Sequence, residues 1–360
     1  MRILLIAVMM LALGGGVQGQ SLPKPMAAEA VLRAAVVDVI RPSVIRFDAV
    51  SRGLKSAVGS LCAEPDAGGL AIARQEFGQV VVAYGKVDFL RLGPLMEDNR
   101  ADRLFFWPDR RGIGLKQVQA ILAEQDALAT DLAGLKAKSV AVQGLGALEF
   151  VLFGTGSESL SGAEGAFRCA YGSAIAANIA EIAKALVAGW YLPNGVADRL
   201  QAPRAEYADY RSNIEALEEI VGLVAHGSEA LRDKHLKPFM ASVEKAAAPK
   251  LAAFWRSGLT MDFVRANIEG MRALVALSGV ARAVGEKDQG LDNTIDFEFR
   301  NAIRALDLVT LPVAEAVADD KQAKALDYLV LVTGSLQGIV GEQLSAALGL
   351  SVGFSALDGD

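Results

Sequence analysis

The sequence predicts an all-α protein built from two helical bundles packed together. Three observations carry that prediction. Apolar residues recur at spacings of three and four along almost the whole chain, the mark of helices with one buried face. No segment alternates convincingly enough for a strand; "QVVVAYGKV" comes closest, but Ala71, Phe77, Val81 and Tyr84 also fit one helical face. The pattern breaks near the middle, in "WYLPNGVADRLQAPRAEY", where Pro193, Asn194, Gly195 and Pro203 interrupt it. The 360 residues therefore divide into a leader over 1–19, an N-terminal bundle over 20–192 and a C-terminal bundle over 193–360.

The leader reads as a signal peptide. Met1-Arg2 supplies the positive start, "ILLIAVMMLAL" the apolar run, and "GGGVQGQ" a small-residue exit with Val17 and Gly19 at the cleavage positions. The run is too short to span a bilayer, and no Cys follows that could carry a lipid. The expectation is an exported, unlipidated protein. Helices then follow at about 26–61, 67–90, 114–125, 128–153, 161–190, 206–232, 237–256, 260–284, 293–318 and 321–347. Pro42 should kink the first. Asp66 and Thr260 are candidate N-caps, and Ser161 with Glu164 spells a capping box. The long connector "RLGPLMEDNRADRLFFWPDRRGIGLKQVQ" holds three adjacent aromatics, Phe105, Phe106 and Trp107. Connectors of that length are often functional, although such rings also plug bundle ends. The late apolar stretch "YLVLVTGSLQGIVG" is interrupted by polar residues and is not read as membrane-spanning.

Charge and cysteine usage narrow the partners. Removing the leader takes one arginine away and leaves 35 basic against 42 acidic residues, a net of −7. That balance argues against nucleic acid or anionic lipid. The two cysteines, Cys62 and Cys169, in an exported chain predict a disulfide rather than a metal pair, since zinc sites need clustered His and Cys.

Recognisable catalytic chemistry is sparse. The two histidines, His226 and His235, lie nine apart, and the helix assigned to His226 ends before His235. His226 and Glu229 share a helix face at i, i+3 and read as a solvated surface pair. The sequence contains no H-E-x-x-H, P-loop or G-x-S-x-G. One stretch is harder to explain. "VAVQGLGALEFVLFG" is apolar except for Gln143 and Glu149, yet carries Gly144 and Gly146 in what looks like a core helix. Each glycine should cost about 1 kcal/mol there relative to Ala. A buried carboxylate needs a partner or a proton.

That stretch, "QGLGALEFVLFG", resembles the signature of the imelysin family, insulin-cleaving or iron-regulated periplasmic proteins whose motif is G-x-H-x-x-E. "FFWPDRRGIGLKQVQAILA", "FRCAYGSAIAANIAEIA", "SLCAEPD", "WRSGLTMDFVRANIEGMRAL" and "LGLSVGFSALDGD" are similar to further family segments in the same order. The resemblance implies a two-bundle fold, a periplasmic location and a link to iron acquisition. It places the site at Gly144, Gly146 and Glu149, with Asp88, Trp107, Asp109, Arg110 and Arg168 as neighbours. The chain departs from the motif at one position: Gly146 stands where the family has His. Glu149 and Asp88 then remain as oxygen ligands for iron or another divalent cation. Arg91, Arg110 and Arg168 are candidate partners of Glu149, and without one its pKa should rise. Binding of a metal, another ligand, or an iron-uptake or other periplasmic partner protein at the inter-domain pocket is favoured over metallopeptidase activity; a scaffold that has abandoned the site is the alternative.

Overall fold

The computed structural model describes residues 26–109 and 111–351; the segment expected to be a signal peptide, Arg110 and the family-like ending "VGFSALDGD" lie outside the described residues. Among the described residues there is no strand, only an isolated bridge between Ser242 and Lys245. The longer helices are α1 (28–63), α2 (Ala67–Asp88), α3 (Ile113–Glu124), α4 (Leu145–Phe153), α5 (Ala166–Trp190), α6 (213–236), α7 (Thr260–Ser278), α8 (Gly290–Asp307) and α9 (320–348). Three of them contain a wider π-helical turn: Ala35–Ile40 in α1, Leu231–Leu236 in α6 and Ile339–Leu344 in α9. In α1 the π turn directly precedes Pro42, which has no N–H to offer the preceding turn. The expected irregularity therefore takes the form of a widened helix.

Helices α1, α2 and α5 pack side by side in the first half, and α6 to α9 pack together in the second. The halves meet where α2 lies against α7. A Cβ at Gly85 would sit 2.7 Å from Ala266 Cβ and 3.0 Å from the Phe263 carbonyl, so this crossing needs glycine. The start of α1 also packs on α6 and α7, and one apolar core runs through both halves. Cys62, in the last turn of α1, is bridged to Cys169 in the first turn of α5, with Cα atoms 5.5 Å apart. One stretch, Ala163–Trp190, is long and apolar enough to cross a membrane, but it is mostly buried against α1 and serves as a core helix.

Several local expectations are corrected. The segment over 128–153 is not one helix but short pieces, Ala127–Thr130, Leu132–Lys136, Val140–Val142 and α4. Asp126, Asp131 and Ser139 each accept a backbone N–H at the start of a piece, and these caps restart the chain where apolar spacing shows no break. The helix over 237–256 is absent. The chain there runs through turns and a short 3-10 helical turn, Pro249–Leu251, with Phe254 at φ 57°. The helix over 293–318 stops at Asp307, and Val313–Ala316 restarts after Pro312. Asp66 caps α2 as expected, accepting from Gly69 N–H at 2.6 Å. Thr260 does not cap α7: its hydroxyl donates to the Ala253 carbonyl at 2.7 Å. The Ser161–Glu164 box does not form either, because Ser161 donates back to the Glu158 carbonyl and α5 starts only at Ala166.

Candidate functional site

A cavity of about 750 Å³ is lined by residues from both halves. One wall is the C-terminal end of α2 and the connector after it, which bring Asp88, Arg91, Phe105 and Trp107. The opposite wall is the face of α6 that carries Glu215, Glu219, Gly222, His226 and His235. Residues at spacings of three and four on α6 face the same way, which is why a single helix supplies most of that wall.

Asp88 is the electrostatic centre of the connector wall. Its Oδ1 accepts from the Tyr84 hydroxyl at 2.9 Å and from Arg91 Nη2 at 2.5 Å. Its Oδ2 lies 3.6 Å from His235 Nε2. Burial alone would raise the Asp88 pKa, but Arg91, His235 and Tyr84 outweigh it and hold the carboxyl well below the usual range. Tyr84 is pushed the other way, first by burial and then by the Asp88 charge. His235 Nδ1 and Trp107 Nε1 are buried without a hydrogen-bond partner among the described residues. Between them stand parallel rings. Phe105 stacks on Trp107 at 5.6 Å, on Phe254 at 4.6 Å and, more loosely, on His235 at 6.4 Å.

Glu149 is not part of this cavity lining. It is buried on α4, and its Oε1 accepts from Ser257 N–H at 2.9 Å and can accept from Ser257 Oγ at 2.9 Å. Arg256 Nη1 stands 4.0 Å from Oε2, its guanidinium 4.4 Å from the Trp255 ring centre. The carboxyl pKa is raised, as burial outweighs the opposing Ser257 bonds and Arg256. The partner thus comes from the loop before α7 and not from the arginines expected. Arg91 pairs with Asp88, and Arg168 donates to the carbonyls of Thr155 and Phe150. Asp109 accepts from the N–H groups of Ile113 and Leu115 and so starts α3.

The two motif glycines behave differently. Gly144 is outside the helix, at the N-cap of α4. A Cβ there would come 2.3 Å from the Leu104 carbonyl and 2.5 Å from that of Arg103. Arg103 in turn donates to the side chains of Gln143 and Asn178, which locks the two segments together. At Gly146 a Cβ would meet only the Phe105 ring, at 3.9 Å. Gly144→Ala is therefore expected to cost about 2–3 kcal/mol by overpacking, while Gly146→Ala stays within about 1 kcal/mol of the parent in a urea melt. Equal effects would refute the distinction.

Asp88 and Glu149 do not form one ligand set, since Asp88 lines the cavity and Glu149 is held by Ser257. No three His, Cys, Asp or Glu side chains among the described residues are placed to share a metal ion. Gly146 supplies no imidazole, so the residues present do not fit the metal that the motif implies. Of His226 and Glu229, whose Nδ1 and Oε2 lie 3.9 Å apart, only His226 is solvated: its side chain is 43% exposed on the cavity wall, whereas Glu229 is buried. His235, Tyr84 and Ser257 were not marked by the sequence pattern. For His235 a signal existed, since continuing α6 four residues further would have placed it on the helix.

The sequence profile of the family described as imelysin matches residues 46–337. Among solved structures, an imelysin-like protein from Psychrobacter arcticum 273-4 is similar with a TM-score of 0.76 at 16% identity, covering 92% of this chain and 99% of that one. A protein described as an iron-regulated protein A precursor, from Parabacteroides distasonis ATCC 8503, reaches a TM-score of 0.73 at 17% identity, covering 91% and 97%. At such identities the likeness shows the fold. No curated protein matches.

Proposed function

We propose that this chain, which belongs to the imelysin family, is an exported periplasmic protein that acts in iron acquisition by binding a ligand in the cavity between its two halves, not by catalysis. The observation that carries the reading is the cavity itself, open and polar around Asp88, Arg91, His235 and Trp107. An abandoned site would have collapsed onto apolar side chains, whereas this one keeps buried polar atoms without partners. The leader supports export, and the iron-regulated relative supports the biological setting.

Gly222→Phe tests the reading. A Cβ at Gly222 meets only the His226 ring, at 3.6 Å, so the new ring can enter the cavity without a backbone clash. A strain lacking the protein should grow poorly under iron limitation and be rescued by the parent but not by Gly222→Phe. Full rescue by Gly222→Phe, or no growth defect at all, would end the proposal.

The second reading is a scaffold with a lapsed metal site. It is favoured by Glu149 being held by Ser257 and Gly146 facing Phe105. Calorimetric titration of ferrous iron, ferric iron and zinc supports it if binding appears only in Gly146→His.

A further inference from the structure

The charges on the cavity wall do not cancel. Arg91 is taken by Asp88 at 2.5 Å, Arg211 by Glu215 at 3.1 Å, and Asp209 by Arg199 at 2.7 Å. What remains on the lining is Asp102, Glu218 and Glu219 against a single cation, Lys234, none of them in an ion pair among the described residues. Glu218 accepts from Ser351 N–H at 2.9 Å and from its hydroxyl, which are neutral donors. Glu219 faces the Tyr210 hydroxyl, also neutral. Burial and the nearby Asp209 raise the Glu219 pKa while Tyr210 opposes them, so negative charge here is poorly compensated.

A metal ion is a poor match for this arrangement. It needs several donors converging on one point, and no three candidate ligands converge among the described residues. An alkylammonium group is less costly to dehydrate than a divalent metal ion and has no fixed coordination geometry. Dispersed carboxylates attract it, and aromatic faces accept both its charge and its carbon chain. The same cavity is lined by Phe105, Trp107 and Tyr210, of which Trp107 is partly exposed.

We propose that the cavity takes an organic cation, an amine whose ammonium group is held by Glu218 and Glu219 and whose hydrocarbon part lies on the aromatic wall. This rests on the cavity being a binding site, as argued above, and adds the class of ligand.

The test is calorimetric titration of the mature protein at low salt with putrescine, spermidine and choline. 1,4-Butanediol, succinate and calcium chloride serve as neutral, anionic and metal comparisons. At least one ammonium probe should bind, and the doubly substituted Glu218→Gln, Glu219→Gln protein should lose about tenfold or more in affinity. Added salt should weaken binding. Both glutamates are partly exposed, so the double variant is expected to fold, which its helical circular dichroism checks. No ammonium binding, equal binding by the double variant, or preference for the diol, succinate or calcium overturns the proposal. If Gly222→Phe fails to rescue growth while no ammonium probe binds, the ligand class falls and the cavity reading stands. If Gly222→Phe rescues fully and nothing binds, both fall.

Discussion

Replacing Cys62 and Cys169 together by alanine is expected to lower the unfolding free energy by about 4 kcal/mol. The bridge spans 107 residues of sequence, so without it the unfolded chain gains the freedom of a very long loop. It also fastens the last turn of α1 to the first turn of α5, the two helices that pack most extensively in the first half. Urea melts of the double variant should show an earlier midpoint and a larger m-value, because the unfolded state exposes more surface. A midpoint within error of the parent would mean that closing this loop contributes little to stability.

Glu149→Ala is expected to cost about 3 kcal/mol, since it strips the Ser257 N–H of its acceptor and leaves Arg256 half-buried without its anion. Glu149→Gln keeps a carbonyl oxygen for Ser257 and should cost about 1 kcal/mol or less at neutral pH. The pH dependence gives a sharper check. Burial raises the Glu149 pKa in the folded state. Its contribution to stability is therefore complete below the ordinary glutamate pKa and is lost as pH rises through the raised value. The parent should lose stability relative to Glu149→Gln across that interval. A constant difference between the two proteins from pH 4 to 7 would show that Glu149 titrates normally.

The helical class was legible because apolar spacing is a local property, and so was the Asp66 cap, whose acceptor and donor lie three residues apart. The disulfide followed from two cysteines in a chain expected to be exported. What sequence could not supply depended on long-range partners. Glu149 looked like a carboxylate without an answer because Ser257 is 108 residues away. Asp88 was marked by resemblance, but the histidine beside it sits in a segment where periodicity had already ended the helix. Gly144 and Gly146 looked equivalent two residues apart, yet one is pressed against the Leu104 carbonyl and the other faces only a ring edge. The short pieces before α4 stayed hidden because Asp126, Asp131 and Ser139 interrupt the helix without interrupting its apolar pattern.

The π turn at Leu231–Leu236 carries a consequence for how members of this family can be compared. Lys237 N–H reaches back five residues, to the Arg232 carbonyl at 2.9 Å, where an α-helix would reach back four. Such a turn is what a helix makes of one surplus residue, and each residue advances an α-helix by about 100°. Chain length, not side-chain identity alone, therefore decides that His235 faces Asp88. A homologue one residue shorter here could align with every histidine and aspartate matched and still turn a different side chain to the cavity. For this wall, gaps in an alignment carry as much chemical meaning as substitutions do.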